Sequence, residues 1–162
     1  MFDRFSDEAK GAMNFAHQAA LSAKDAALTD MHILIGSCRT RGSLASRVLL
    51  ACGQDPVEVC ARAEAHAAQH SESWNERGEQ LPFTLLAKRV LELTMAEADS
   101  LGHRALGTHH LLLGVVRSGG PASELLASGG LKLLDARNAA LHVHGEATPP
   151  VEPRPRRPNE PQ

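Results

Sequence analysis

Aromatic side chains are scarce in this sequence of 162 residues: there is no Tyr, one Trp and four Phe, about 3% of the chain. A core must therefore be built from aliphatic residues, among which Ala and Leu are strong helix formers. No run of about 18 apolar residues is present, so we expect no membrane-spanning helix. The amino terminus also lacks the apolar stretch of a secretory signal. These absences favour an all-α protein with no membrane partner.

An excess of charge of either sign is also missing. The formal net charge is -2, so the strongly basic balance typical of nucleic-acid-binding proteins is absent, and we expect no nucleic-acid partner. The three cysteines, Cys38, Cys52 and Cys60, are odd in number and lack C-x-x-C spacing, which favours reduced thiols in the cytoplasm. No Gly-x-x-x-x-Gly-Lys-(Ser/Thr) motif occurs, so we expect no ATP site and no cofactor.

What the sequence does contain is a tandem repeat with an offset of about 78 residues. The register survives through most of each half, with one residue lost in a loop. The matched pairs include Phe5-Ser6 with Phe83-Thr84, Ala9-Lys10 with Ala87-Lys88, 32–36 (His-Ile-Leu-Ile-Gly) with 110–114 (His-Leu-Leu-Leu-Gly), and Gly53 with Gly130. The chain therefore divides into a first repeat, 1–70, and a second repeat, 83–145, which we expect to pack together as one domain.

Two segments lie outside the repeats. Residues 71–82 are mostly polar and are interpreted as a linker. Six of the nine prolines lie in 149–162, among arginines and with almost no apolar residue. Such a composition cannot bury enough surface to fold, so a disordered or polyproline-like tail is predicted over 146–162.

Each repeat is predicted to form four helices. Ser6 and Thr84 are expected to be the N-caps of the first helices, since both precede an apolar face at helical spacing. The second helices are expected to run from Asp30 or Thr108 as N-cap to Gly36 or Gly114. The third helices are predicted over 43–52 and 121–128, ending at Gly53 and Gly130 in left-handed conformation, and the fourth over 56–69 and 131–143.

Two repeats that each carry Phe-(Ser/Thr) at the start and a (Thr/Asp)-x-His-(Ile/Leu)-Leu-(Ile/Leu)-Gly box resemble the Clp amino-terminal repeat domain. This is the module that precedes the ATPase rings of ClpC- and ClpA-type unfoldases. The resemblance covers about residues 1–145 and implies a bundle of eight helices with pseudo-twofold symmetry. It also implies recruitment of adaptors and substrates. Because the phosphate loop is absent, we expect a stand-alone relative without an ATPase.

The boxes carry one candidate site that the resemblance implies. In relatives that bind phosphoarginine, each box reads Gly-Thr-Glu-His, and the Glu can pair with the guanidinium. Here the first box reads Thr29-Asp30-Met31-His32 and the second Gly107-Thr108-His109-His110. Both Glu positions are lost, so this degenerate phosphoarginine-type site is not expected to work by the usual contacts. His32 and His110 are interpreted as structural residues that satisfy nearby backbone.

A second candidate site is a groove where the first helices of the two repeats open. In relatives, the corresponding surface holds hydrophobic cyclic peptides, including antibiotics. Flexible Met side chains with flanking charges suit adaptable peptide binding. Phe5 is expected to pack on the first helical turn, whereas Phe2 has no evident packing partner. The expected groove residues are Phe2, Lys10, Met13, Phe83, Lys88, Glu92 and Met95.

Nine histidines raise the alternative of a metal protein. His103, His109 and His110 are close in sequence, as are His142 and His144, but no H-E-x-x-H or Cys/His ligand pattern appears. Solvent-facing histidines are the simpler interpretation, and no metal site is assigned. No Gly-x-Ser-x-Gly motif supports a hydrolase, so no catalytic residue is assigned either.

The sequence thus predicts a non-enzymatic module that binds peptides, adaptors or substrate proteins of a ClpC-type unfoldase and acts as a decoy or buffer for them. The alternative is an accessory subunit that docks on the ClpC–ClpP protease and alters substrate choice. A metal-binding or hydrolytic enzyme is the more remote alternative.

Overall fold

A computed structural model describes residues 2–69 and 81–147. Within these residues the chain forms eight α-helices, and extended pairing is limited to two isolated bridges. The fold class predicted from the sequence, an all-α bundle of eight helices in two repeats, is confirmed. The helices are α1 Asp7–Ser22, α2 Asp30–Arg39, α3 Leu44–Ala51, α4 Pro56–Gln69, α5 Leu85–Ser100, α6 Thr108–Ser118, α7 Pro121–Ser128 and α8 Leu133–Ala147.

The first helix of each repeat begins as the sequence predicts. The hydroxyl of Ser6 accepts a hydrogen bond from the backbone N–H of Ala9, and the hydroxyl of Thr84 accepts one from Ala87, each at 3.1 Å. Each bond satisfies one of the N–H groups that a helix start leaves without a partner. Gly53 and Gly130 have positive φ after α3 and α7, as predicted for the residues that end these helices.

The second helices differ from the prediction at both ends. Their N-caps are Thr29 and Gly107, one residue earlier than expected, so Asp30 and Thr108 occupy the first helical position. The helices also continue past Gly36 and Gly114. Neither glycine is a C-cap: a Cβ at Gly36 would lie 2.1 Å from the Ala12 carbonyl oxygen, and one at Gly114 would lie 2.6 Å from that of Val90. Both glycines instead let α2 and α6 pack directly against the backbones of α1 and α5.

The centre of the bundle consists of α2 and α6, which contact each other and are buried along most of their lengths. Their aliphatic residues, together with Ala and Val from the other helices, form one continuous core that spans both repeats. Each half is small and rich in Ala, so burial of its apolar face depends on the other half.

Short backbone pairings also join the two repeats, because the segment before the first helix of each repeat pairs with a loop of the other. The residues before α1 pair with the α5–α6 loop, where Leu106 N–H donates to the Arg4 carbonyl at 2.7 Å. The residues before α5 pair in the same way with the α1–α2 loop, where Leu28 N–H donates to the Pro82 carbonyl at 2.9 Å. Each repeat therefore places the Phe that precedes its first helix, Phe5 or Phe83, against the other repeat.

The remaining predictions concern boundaries. The eighth helix begins at Leu133, two residues later than predicted, and extends to Ala147 instead of ending at 143. The predicted linker lies outside the described residues except for 81–82, and the predicted tail lies outside them beyond 147. No helix in the described part of the chain is long and apolar enough to cross a membrane.

Candidate functional site

A groove of about 610 Å³ opens on the outer face of α1. Its walls combine apolar side chains with those of a lysine, an asparagine and a histidine. Phe2 is 40% exposed and Phe83 is half-buried, so two aromatic rings border this groove. The lining residues are Phe2, Lys10, Met13, Asn14, His17, Leu28, Leu81 and Phe83.

The exchange of segments between the repeats builds this groove. Because Leu28 pairs with the chain around Phe83, the aromatic residue of the second repeat lies beside the first helix of the first repeat. Phe2 is positioned by Phe5, whose N–H donates to the Phe2 carbonyl at 3.1 Å. The two rings meet edge to face with centroids 5.0 Å apart, a favourable aromatic geometry.

The structure brings four of the seven expected groove residues together: Phe2, Lys10, Met13 and Phe83. Lys88, Glu92 and Met95 lie on α5 and do not line this groove. They occupy the positions in the second repeat that correspond to Lys10, Asn14 and His17 in the first. All the helical residues that line the groove belong to α1, because Phe83 of the second repeat lies beside this helix. The corresponding aromatic on α5's side, Phe5, is buried beneath Phe2.

The groove can bind an apolar segment by burial of aromatic and thioether surface. Met13 and Leu28 are buried and form its floor, while Lys10 is exposed at its edge. Met side chains adapt to different apolar shapes, and the Lys10 ammonium favours a ligand with a carboxylate near its apolar part. Asn14, His17, Leu28 and Leu81 were absent from the sequence-based prediction. Leu28 and Leu81 could not be inferred, because the pairing between the α1–α2 loop and the chain before α5 has no signature in the sequence.

The first box has an internal role in the structure. Asp30 is buried, and its Oδ2 accepts a hydrogen bond from the Ala122 N–H at 2.9 Å, at the start of α7 in the other repeat. Met31 is buried in the core. His32 Nδ1 accepts from the Thr29 N–H at 2.9 Å, while its Nε2–H donates to Asp25 at 2.7 Å. The structural interpretation of His32 is thus confirmed.

The second box repeats this arrangement. Thr108 Oγ1 accepts from the Ala45 N–H at 2.9 Å, at the start of α3 in the first repeat, and donates to Glu8 at 2.7 Å. His110 Nδ1 accepts from the Gly107 N–H at 2.9 Å, which confirms the structural interpretation of His110 as well. Each box therefore stabilises a helix start in the opposite repeat.

His109 belongs to a cluster of four imidazoles that the sequence analysis missed. The expectation of solvent-facing histidines is wrong for His109 and His110, which are 1% and 0% exposed. His103 comes from the α5–α6 loop and His144 from α8, and both are half-buried. Burial, together with the neighbouring imidazoles, lowers the pKa of His109 to about 2 and that of His110 to about 3. The signal available in the sequence was the 103, 109, 110 spacing, but only the fold adds His144.

The cysteines carry little nucleophilic character. Cys38 is buried, and burial raises the pKa of its thiol to about 12. Burial also raises the pKa of the half-buried Cys52 and Cys60 thiols. The thiolate is the reactive form, so these three groups behave as small apolar side chains at neutral pH.

Comparison with known proteins identifies the class. The model of the family "Clp repeat (R) N-terminal domain" matches residues 4–128, and the chain belongs to this family. The domain is generally a substrate- or adaptor-binding module of unfoldases.

Two curated relatives illustrate the similarity. The chain is 33% identical over 146 residues to "Negative regulator of genetic competence ClpC/MecB" of Bacillus subtilis, covering 90% of this chain and 18% of that protein. It is 32% identical over 152 residues to "Chaperone protein ClpC1, chloroplastic" of Oryza sativa, covering 93% of this chain and 16% of that protein. The chain thus spans less than a fifth of the length of these relatives.

Solved structures show the same fold. The Hsp104 N-terminal domain from Candida albicans superimposes with a TM-score of 0.74 at 15% identity, covering 88% of this chain and 93% of that chain. The N-terminal domain of the chaperone ClpD from Arabidopsis thaliana superimposes with a TM-score of 0.66 at 22% identity, covering 90% and 97%.

Proposed function

We propose that this chain is a non-catalytic module that binds apolar peptide segments in the groove between Phe2 and Phe83. The observation that carries the proposal is the exposed Phe2 ring at the edge of an open apolar groove. Neighbouring apolar and charged groups give the groove both affinity and orientation, because burial drives binding and Lys10 selects for a nearby carboxylate.

The proposed role is that of a decoy or buffer in the cytoplasm. The sequence contains no phosphate-loop motif with which this chain could drive unfolding by ATP. A free binding module lowers the concentration of free ligand by mass action, and so withholds peptides, adaptors or cyclic-peptide antibiotics from a ClpC-type unfoldase.

Recognition of phosphoarginine is not part of the proposal. The two positions where relatives carry Glu hold Met31 and His109, both buried. The remaining acidic group of the first box, Asp30, is engaged by the Ala122 N–H. A guanidinium would therefore lack the carboxylate that relatives place at the Glu position of each box.

A fluorescence anisotropy titration tests the groove. The probe is a labelled peptide rich in Leu and Phe that carries one Asp. We expect Phe2→Ala to weaken binding about tenfold or more, since a buried aromatic ring contributes about 1.5–3 kcal/mol. Leu134→Ala is the matched control, because Leu134 is an exposed apolar residue on α8 that does not line the groove. Equal affinity of Phe2→Ala and the wild-type chain would contradict the proposal.

A competition experiment separates the decoy from an accessory subunit. We expect the chain to displace the labelled peptide from an isolated ClpC-type N-terminal domain without associating with the assembled ClpC–ClpP ring. Stable co-migration with the ring, unaffected by Phe2→Ala, would instead favour the accessory subunit.

A further inference from the structure

Four histidines in the second repeat place ring nitrogens around one point. One nitrogen from each of His103, His109, His110 and His144 lies within 4.8 Å of the others. His103 Nδ1 is 2.8 Å from His110 Nε2, and His109 Nε2 is 3.1 Å from His144 Nδ1. The rings of His103 and His144 stack with centroids 3.5 Å apart, which ties α8 to the α5–α6 loop.

The proton positions in the cluster follow from the hydrogen bonds. His110 Nδ1 accepts from the Gly107 N–H, so the proton of neutral His110 is on Nε2 and is donated to His103 Nδ1. One proton is shared between His109 Nε2 and His144 Nδ1. His109 Nδ1 is buried without a hydrogen-bond partner. His109 therefore has one unsatisfied nitrogen whichever tautomer it adopts, and a metal at Nε2 breaks only its bond to His144.

We propose that His103, His109 and His144 bind one divalent transition metal ion, with Zn²⁺ as the best-suited candidate. The ligand atoms are His103 Nδ1, His109 Nε2 and His144 Nδ1, each able to present a lone pair with its proton on the other nitrogen. Because the His103 and His144 rings are stacked 3.5 Å apart, one of them must rotate to bring both lone pairs onto a single ion. His110 keeps its bond to Gly107 and is not a ligand. Its Nε2–H, released from His103, donates to the water or anion that completes the coordination.

The donor chemistry selects the metal class. Imidazole nitrogens suit zinc, cobalt, nickel and copper, whereas Mg²⁺ and Ca²⁺ require oxygen ligands, which the cluster lacks. Metal binding also requires neutral histidines.

The first repeat provides an internal comparison. The residues at the positions of His103, His109 and His144 are Asp25, Met31 and Ala67, while His110 corresponds to His32. These four first-repeat residues line a pocket of about 280 Å³. Only the shared histidine has a backbone-capping role in both repeats. The three additional imidazoles are thus specific to the second repeat, although His103, like Asp25 in the first repeat, accepts the Nε2–H of the shared histidine.

Titration of the full chain with Co²⁺ and Zn²⁺, after treatment with a chelator, tests the site. We expect one Co²⁺ per chain, visible as d–d absorption that Zn²⁺ displaces. His144→Ala is expected to weaken binding at least about 100-fold, since even loss of an outer-shell contact costs 10–100-fold. His142→Ala is the matched control: His142 is on the same helix, is exposed, and lies outside the cluster.

Two results would overturn the proposal. The first is that the wild-type chain binds neither ion, and the second is that His144→Ala and His142→Ala bind Co²⁺ with equal affinity. His110→Gln tests the ligand assignment, because Gln can still accept from the Gly107 N–H. We expect it to retain one Co²⁺ per chain; loss of binding would overturn the three-ligand assignment. Phe2→Ala should bind Co²⁺ like the wild-type chain, which separates failure of this site from failure of the groove.

Discussion

The equivalent histidines of the two repeats, His32 and His110, share one backbone contact but differ in the partner of their second ring nitrogen. His32 and His110 both accept a backbone N–H near the start of a helix, yet the Nε2–H of His32 is donated to a carboxylate and that of His110 to a second imidazole. The backbone contact could be inferred from the sequence, since each histidine lies in a first helical turn. The partner of the other nitrogen could not, because it comes from a loop seven residues earlier.

At the same scale, the buried imidazoles make stability depend on pH. His109 and His110 stay neutral in the folded chain, with pKa values of about 2 and 3, whereas in the unfolded chain they take up protons near pH 6.5. The unfolded state then binds more protons, so stability is complete above pH 6.5 and falls as the pH is lowered. Each such group costs about 2 kcal/mol between pH 6.5 and 5.

Thermal denaturation in the presence of EDTA measures this effect. We expect the midpoint to fall from pH 7 to pH 5, and to fall less in His109→Met, which introduces the residue that the first repeat has at this position. His103, His144 and Arg4 also face these histidines, so the comparison between variant and wild-type chain isolates the contribution of His109. An identical pH dependence for both proteins would contradict the assignment.

At the scale of the helices, amphipathic spacing and caps predicted most of the elements. Ser6, Thr84 and Pro121 mark their helix starts correctly because capping and proline geometry are local properties. The glycines of the box were misread as helix ends, since a sequence cannot distinguish a glycine that ends a helix from one that admits a neighbouring backbone. Asp30 and Thr108 were likewise taken as N-caps of their own helices, whereas each side chain accepts an N–H at a helix start in the opposite repeat, which a sequence does not reveal.

The close approach of α6 to α5 leads to a prediction. Gly114→Ala places a methyl group 2.6 Å from the Val90 carbonyl oxygen and 2.3 Å from Thr94 Oγ1, so the helices must separate. We expect a loss of about 1–3 kcal/mol in the free energy of unfolding, the usual range for overpacking. Urea denaturation followed by circular dichroism provides the measurement.

Gly11→Ala is the matched control for this substitution. Gly11 is also inside a helix, but a Cβ there meets no atom within 4 Å. Alanine should raise stability by about 0.5–1 kcal/mol, its advantage in helix propensity. If both substitutions changed the free energy of unfolding in the same direction, the packing explanation for Gly114 would be wrong.

At the scale of the whole molecule, the two repeats are held as one unit by reciprocal contacts. Thr108 satisfies the start of α3 and Asp30 satisfies the start of α7, so each repeat caps a helix in the other. The tandem repeat itself was evident in the sequence. The exchange of Phe5 and Phe83 between repeats was not, and for this reason the structure brings together only four of the seven residues expected to line the groove.

Loss of one reciprocal contact should affect the entire domain. Thr108→Val removes the hydroxyl, leaving the Ala45 N–H and the Glu8 carboxylate without this partner. We expect a loss of about 1–3 kcal/mol in a single cooperative unfolding transition, and a smaller loss for Thr108→Ser, which keeps the hydroxyl. Two separate transitions, or a valine variant as stable as the wild-type chain, would contradict the cooperative arrangement.

The groove between Phe2 and Phe83 is the central claim, and NMR mapping of a bound peptide tests it most directly. A ¹⁵N-labelled chain is titrated with the unlabelled peptide rich in Leu and Phe that carries one Asp. We predict chemical-shift changes concentrated at the amides of Phe2, Lys10, Met13 and Phe83, with those of Lys88, Glu92 and Met95 unaffected. Changes centred on the boxes or on α5, or no changes at all, would contradict the account.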